Sequence, residues 1–464
     1  MNNFTLIKID WKRLAIPFLL CLASAVFTIV VFYPGFMSYD SFVQLKQALG
    51  QLPYFDSHPV IMAKLWGALI FLTGGNKASL FIFYVSIYWL AVYLLSTILF
   101  RKQYLIILSS LLIGFFPPAY FLSLHNWKDV GMLISFYFFV IFIILYLKKE
   151  KIAYLGLSSL CLIVATLMRT NAFVASLPLF IYTIYLLSIR FDRLSIKFVY
   201  SVLYILLVVG VFLGTTNLLN HNARHVSTIG TVLVWDMGAV SKIKQTDYLP
   251  LYLHRKQSVE DDLYVINRDF SPDANYHLFK EISPYPNPED NKKLVLDWFK
   301  LITKEPVAYL QHRLKVFETL LNLDGRTYYP LHPWIDENDF GMKFHLLNSP
   351  TYYVLFQKVI EFVTNSIFYK NYFYFFVGLS FLIFLLFCKK GIVKFRFLCI
   401  SLLISGLCNT ASLFILAPAA DYRYCVWSSC SVVLACFIYL TSLKKKTTEI
   451  RSSRDTEFGD FEYE

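Results

Sequence analysis

The sequence predicts an α-helical polytopic membrane protein of about 10 transmembrane helices, with a mostly helical extracytoplasmic domain in one large outer loop. Three observations predict it. Of 464 residues, 57% are apolar and 16% charged, against about 45–50% and 25% in globular domains. Several separate apolar runs approach 20 residues with almost no charge inside, the length at which a helix crosses about 30 Å of hydrocarbon. The basic residues are divided unevenly between alternate connections, which is how orientation is encoded.

In chain order the runs are 14 to 33, 79 to 100, 104 to 124, 130 to 147, 153 to 168, 172 to 189, 198 to 218, 372 to 387, 397 to 416 and 424 to 443. The first follows basic residues, as a secretion signal does, but its 20-residue apolar core is too long for one and Ala25 sits mid-run, so it reads as an uncleaved anchor. Ten crossings place both termini on one side. Short segments of that side hold 20 of the 43 basic residues, against six on the other side: Lys46, Lys64, Lys77, Lys128, Arg169 and Arg423. The positive-inside rule makes the rich side cytoplasmic.

The chain then divides into four parts. Residues 1–218 form an N-terminal membrane module with outer loops 34–78 and 125–130. Residues 219–371, with 17 basic and 18 acidic side chains, form a large outer loop of small-domain size. Residues 372–443 are a C-terminal membrane module, and 444–464, running from KKK to an acidic end, reads as a disordered cytoplasmic tail. No repeat divides the spans into similar halves, as it does in many secondary transporters. The net charge of +12 is not gathered on a basic face interleaved with aromatics, so no nucleic acid is expected as partner. None of the eight cysteines lies between 219 and 371, and they form neither a disulfide framework nor a zinc pattern.

The chemistry-bearing residues lie on the outer side. In the first loop Pro34-Gly35 turns the chain out of the membrane, and Phe42, Leu45 and Leu49 give one apolar face to a short surface helix. Asp40 reads as the N-cap of that helix, as a catalytic acid, or as both. Asp56 reads as a turn or cap residue before a helix opened by Pro59, with His58 beside it. In the second loop Lys128 and Asp129 are placed to reach the same surface pocket. Arg169 and Arg423 sit at outer span ends with polar neighbours Asn171, Asp421 and Tyr424. A guanidinium at that depth suits a lipid phosphate, and Arg169 has no carboxylate nearby in sequence. In the outer domain two amphipathic helices are expected on either side of Pro306, carrying His312 and Arg313, and Tyr328, Tyr329 and Trp334 are placed to stack on sugars or sit in the interface.

The order of these motifs carries a resemblance: YPG..SYD then D.HP in the first loop, KD in the second, R.N after the fifth run, W...I...P..YL..R in the outer domain, and P..DYRY before the last run. With them the chain resembles bacterial membrane proteins of the GT-C glycosyltransferase superfamily, in particular those that modify O-antigen or other cell-surface polysaccharide. The resemblance implies a multi-pass protein of the bacterial cytoplasmic (inner) membrane with its active site on the periplasmic side. The implied reaction moves a hexosyl group, glucose in the relatives it resembles, from polyprenyl phosphate to a polysaccharide or glycolipid acceptor. The family's usual base is an acid of the first outer loop, which Asp40 matches; the Asp-Glu pair that some relatives show there is missing, so Asp56 stays open as the alternative base, and Asp129 is the further catalytic acid. Arg169, Lys128 and Arg423 would bind the donor phosphate, and His58, Asn171, Arg313, Asp421 and Tyr424 the rest of the substrate. No cofactor is required; a divalent metal is compatible with the chemistry, but no ligand cluster argues for one. Two alternatives stay open: a polysaccharide polymerase or ligase with a polyprenyl-pyrophosphate donor, and a lipid or polysaccharide transporter.

Overall fold

The computed structural model describes residues 11–55, 58–224, 226, 229–253, 262–275, 277–280, 282–284, 290–325, 331–388, 390 and 392–457. Among them the regular structure is helical, and the extended pairing is confined to isolated bridges. The first membrane module contains α1 (Trp11–Phe32), α2 (Tyr39–Ala48), α3 (Val60–Leu72), α4 (Ser79–Leu99), α5 (Gln103–Gly114), α6 (Pro117–Ser123), α7 (Lys128–Lys149), α8 (Ala153–Met168), α9 (Ala172–Ser188) and α10 (Leu194–Asn220). The segment between the modules contains α11 (Gly230–Lys244), α12 (Asp262–Asp269), α13 (Asn291–Lys304), α14 (Pro306–Leu320) and α15 (Pro350–Asn365). The last module contains α16 (Asn371–Phe387), α17 (Val393–Leu416) and α18 (Val426–Glu457).

Six of the described helical segments are long and apolar enough to cross a membrane: Arg13–Phe32, Ser79–Leu99, Lys128–Lys149, Leu194–Asn220, Val393–Leu416 and Tyr422–Leu443. The expected third span, 104 to 124, is broken: α5 and α6 meet at 67°. Pro117 and Pro118 supply no amide hydrogen and push the preceding residue out of the helical region, so the helix stops before them. The bent pair would make a seventh span. Helices α8, α9 and α16, of 16, 17 and 17 residues, reach only about 24–26 Å. The tail also departs from expectation, because α18 continues to Glu457. Residues 444–457 contain neither glycine nor proline, so the propensity needed to end the helix is missing.

The bundle is organised around α7, which packs on α4 and α8 and contributes a continuous run of buried residues. Helix α17 joins the two modules by packing on α9 as well as on α16 and α18. Helix α10 is peripheral, with no buried residue. Near-uniform hydropathy on both sides of these helices is what contact with lipid permits. Between the modules, α11 packs on α12, α13 and α14 around a separate core that includes Trp235, Leu253, Val316 and Leu320. Pro306 opens α14, and the break between α13 and α14 falls where the sequence predicts it.

Candidate functional site

The site is assembled by loops at one end of the bundle. Gly35 adopts φ +92°, and a Cβ there would lie 2.6 Å from the Phe81 ring, so only glycine makes this turn. The next residues are held between two other segments. The Phe36 amide donates to Leu124, the Asn126 amide donates to Phe36, and Met37 exchanges hydrogen bonds with Trp334 and Asp336. Three distant stretches, 35–37, 124–126 and 334–336, are thereby fixed side by side.

Helix α2 starts from this ladder. Its N-cap position is Ser38, not Asp40: the Ser41 hydroxyl accepts from the Ser38 amide at 3.2 Å, and Trp127 Nε1 donates to the Ser38 hydroxyl at 2.9 Å. Because a serine takes the cap, the Asp40 carboxylate is released from that duty. It lies 3.6 Å from Arg423 Nη2 and stays 37% exposed.

Arg423 is the centre of the cluster. It pairs with Asp421 at 2.8 Å through Nε and lies over the Trp127 ring with its guanidinium carbon 4.4 Å from the centroid. Trp127 stacks on His125 at 3.9 Å. Arg169, which lacks a sequence-neighbouring carboxylate, finds one in space: it forms a buried ion pair with Asp129. Its Nε donates to Asn171 at 2.7 Å, and its guanidinium covers the Tyr424 ring at 4.4 Å. Tyr424 therefore lies between the two arginines, since Arg423 is 5.5 Å from the same ring. Lys128, at the start of α7, is close enough to act electrostatically on Asp40 and His58. Among the described residues its ammonium has no carboxylate within 4 Å.

The electrostatics follow from this packing. Burial would raise the Asp40 carboxyl, but His58, Arg423 and Lys128 outweigh it and hold it at about 2. Burial and the Lys128 charge push His58 down to about 4, against the attraction of Asp40, so its imidazole is neutral near pH 7. Burial raises Asp421 against the pull of Arg423. At neutral pH the site thus presents an ionised Asp40 beside cations it cannot all neutralise.

Of the residues expected from sequence, Asp40, His58, Lys128, Asp129, Arg169, Asn171, Asp421, Arg423 and Tyr424 are brought into this one network. Asp56, Tyr328 and Tyr329 lie outside the described residues. Arg313 is placed elsewhere, fully buried between α11 and α17. It pairs with Asp236 at 2.7 Å and donates to the Ala417 carbonyl at 2.8 Å. His312 and Trp298 close on the same aspartate.

Sequence reasoning missed Trp127, His125, and the pair of His332 with Asp336, 3.1 Å apart. Trp127 directly precedes the Lys-Asp motif and was within reach. His332, 6.2 Å from Trp127 between ring centroids, enters through the 331–336 stretch, whose pairing with Met37 has no local signal. Among the described residues no three His, Cys, Asp or Glu side chains are gathered to hold a metal ion. No family model matches the sequence, and neither a curated protein nor a solved structure does.

Proposed function

We propose that the protein is an inverting glycosyltransferase of the bacterial cytoplasmic membrane, with about ten spans and its site on the extracytoplasmic face. It moves a hexose from polyprenyl phosphate to a hydroxyl of a cell-surface polysaccharide or lipid-linked glycan. The observation that carries this reading is the convergence of one partly exposed carboxylate, Asp40, with Arg423 and Lys128 at the ends of apolar helices. Such a group of charges suits a phosphate presented from the membrane and a hydroxyl presented from outside.

The reaction balances with these groups alone. The acceptor hydroxyl attacks the anomeric carbon, its proton passes to Asp40, and the bond from that carbon to the phosphate oxygen breaks. A single displacement inverts the configuration. Polyprenyl phosphate leaves as a stable anion, so no acid has to protonate it, and Arg423 and Lys128 offset the charge it gains. Donor binding also prepares the base. The free protein's cations hold Asp40 at about 2, too low for an efficient base at neutral pH, and a donor phosphate that engages those cations raises its basicity.

Right-side-out membrane vesicles given a radiolabelled polyprenyl-phosphate sugar and no nucleotide sugar test the proposal. Label should pass to glycan, and inverted vesicles should need permeabilisation first. Asp40→Asn keeps the shape of the side chain and should reduce transfer by at least about 10². Undiminished transfer in that variant would sink the role of Asp40, and unaltered labelled lipid crossing the membrane would point to transport.

A further inference from the structure

A concave site separate from the Asp40 cluster lies between the end of α1, the start of α4 and the 340–345 segment. It is a cavity of about 440 Å³, bounded by Tyr33 beyond α1, by Asn76 and Lys77 before α4, and by Phe340, Lys343 and His345. Its volume falls within the range of small-ligand sites, about 300–1,000 Å³. No Asp or Glu lines it. Nearby Lys46 is neutralised by Asp339 at 2.7 Å, whereas neither Lys77 nor Lys343 has a carboxylate within 4 Å among the described residues. The Tyr33 hydroxyl donates to Asn76 at 3.2 Å, and the Tyr33 ring meets His345 edge-on at 5.1 Å. Lys77 lies over the Phe340 ring at 5.9 Å. The cavity thus offers unneutralised cations, hydrogen-bonding groups and aromatic faces together.

The cavity is also mechanically tied to the Asp40 site. Phe340 stacks on Phe42 of α2 at 6.2 Å, two residues after Asp40, and the same 331–345 stretch pairs with Met37 through Ile335. The cavity and the helix that carries Asp40 thus share the 331–345 stretch as a common wall. We infer that the cavity is an acceptor subsite for an anionic sugar residue, a uronate or a phosphosugar, whose charge meets Lys77 and Lys343 and whose ring packs on the aromatic walls. The assignment of acceptor rests on the transferase reading; the binding itself does not. A lipid headgroup phosphate would satisfy the lysines but would leave the aromatic faces without a sugar ring.

The test is binding of the purified full chain, in phosphatidylcholine nanodiscs, to a fluorescent glucuronate-containing hexasaccharide and to a neutral glucose hexasaccharide. The uronate should bind at least about fivefold more tightly, the scale of two solvent-facing ion pairs, and added salt should erase the difference. The double variant Lys77→Gln, Lys343→Gln should abolish the preference while the melting temperature holds, because Trp66 is anchored by the Lys77 carbonyl and not by its side chain. Equal affinity for the two sugars, or a preference that survives the double variant, would overturn the proposal. So would a lysine-dependent signal with phosphatidylglycerol nanodiscs and none with the uronate, which would assign the cavity to a headgroup. No donor is present, so failed transfer and failed binding are read separately.

Discussion

At the scale of the residue, the three cations of the site differ in what already neutralises them. Arg169 is committed to Asp129, whose side chain is fully buried, so Arg169→Ala would strand that carboxylate and cost about 3 kcal/mol or more of stability. A lowered melting temperature checks this, and an unchanged one would mean that Asp129 finds another partner. Lys128 has no such commitment among the described residues. Lys128→Ala should leave the melting temperature in place and raise the KM for donor about tenfold, the worth of one charge-assisted hydrogen bond. The pH response is set by His58, held at about 4 against an unfolded value of about 6.5. Its neutral form is favoured by folding, so its contribution to stability is complete above about 6.5 and declines as the pH falls towards 4. Asp40, held at about 2, stays ionised throughout that window. The acid limb of kcat/KM should therefore lie near pH 4, where protonated His58 weakens the base, and His58→Asn should shift it lower; a limb at 6 to 7 would contradict this assignment.

At the scale of the element, the loop that carries Asp421 and Arg423 is anchored from the separate core of α11 to α14. Arg313 of α14 donates to the Ala417 carbonyl, the Ala420 amide donates to the Asp273 carbonyl at 2.9 Å, and Ala274 pairs with Ala419. A residue expected to touch substrate is thus buried away from the Asp40 cluster and anchors the Asp421–Arg423 loop instead. Arg313→Leu should lower stability by about 3 kcal/mol, because Asp236 would stay buried with the Trp298 hydrogen bond but without the arginine's charge. Adding Asp236→Leu should recover part of the loss, and a thermal melt of the two variants decides it. Periodicity made this helix legible, together with its break at Pro306, but not its partner. A pattern of apolar spacing says which face is buried, and whether a charge on that face meets substrate or an aspartate of another helix is a property of long-range packing. The same limit explains Asp40, whose cap role passed to Ser38, and Arg169, whose carboxylate came from 40 residues earlier.

At the scale of the whole molecule, the helical membrane character was legible because apolar runs of spanning length need no tertiary information. The bent α5–α6 pair was less so: hydropathy averages across Pro117 and Pro118, and the 67° bend follows from backbone sterics that a hydropathy window does not register. Orientation rests on charge alone. The turns between α1 and α10 alternate in their basic content, and every member of the Asp40 network lies at the end opposite the lysine- and arginine-rich turns, such as 148–151 and 190–197. An excess of 20 basic residues over 6 in short segments predicts that this end is extracytoplasmic. A periplasm-dependent reporter such as alkaline phosphatase, fused near residue 280, should then be active, and one fused near residue 150 should be silent. The reverse pattern would put the site in the cytoplasm, where sugar nucleotides are available, and would remove the reason for a lipid-linked donor altogether.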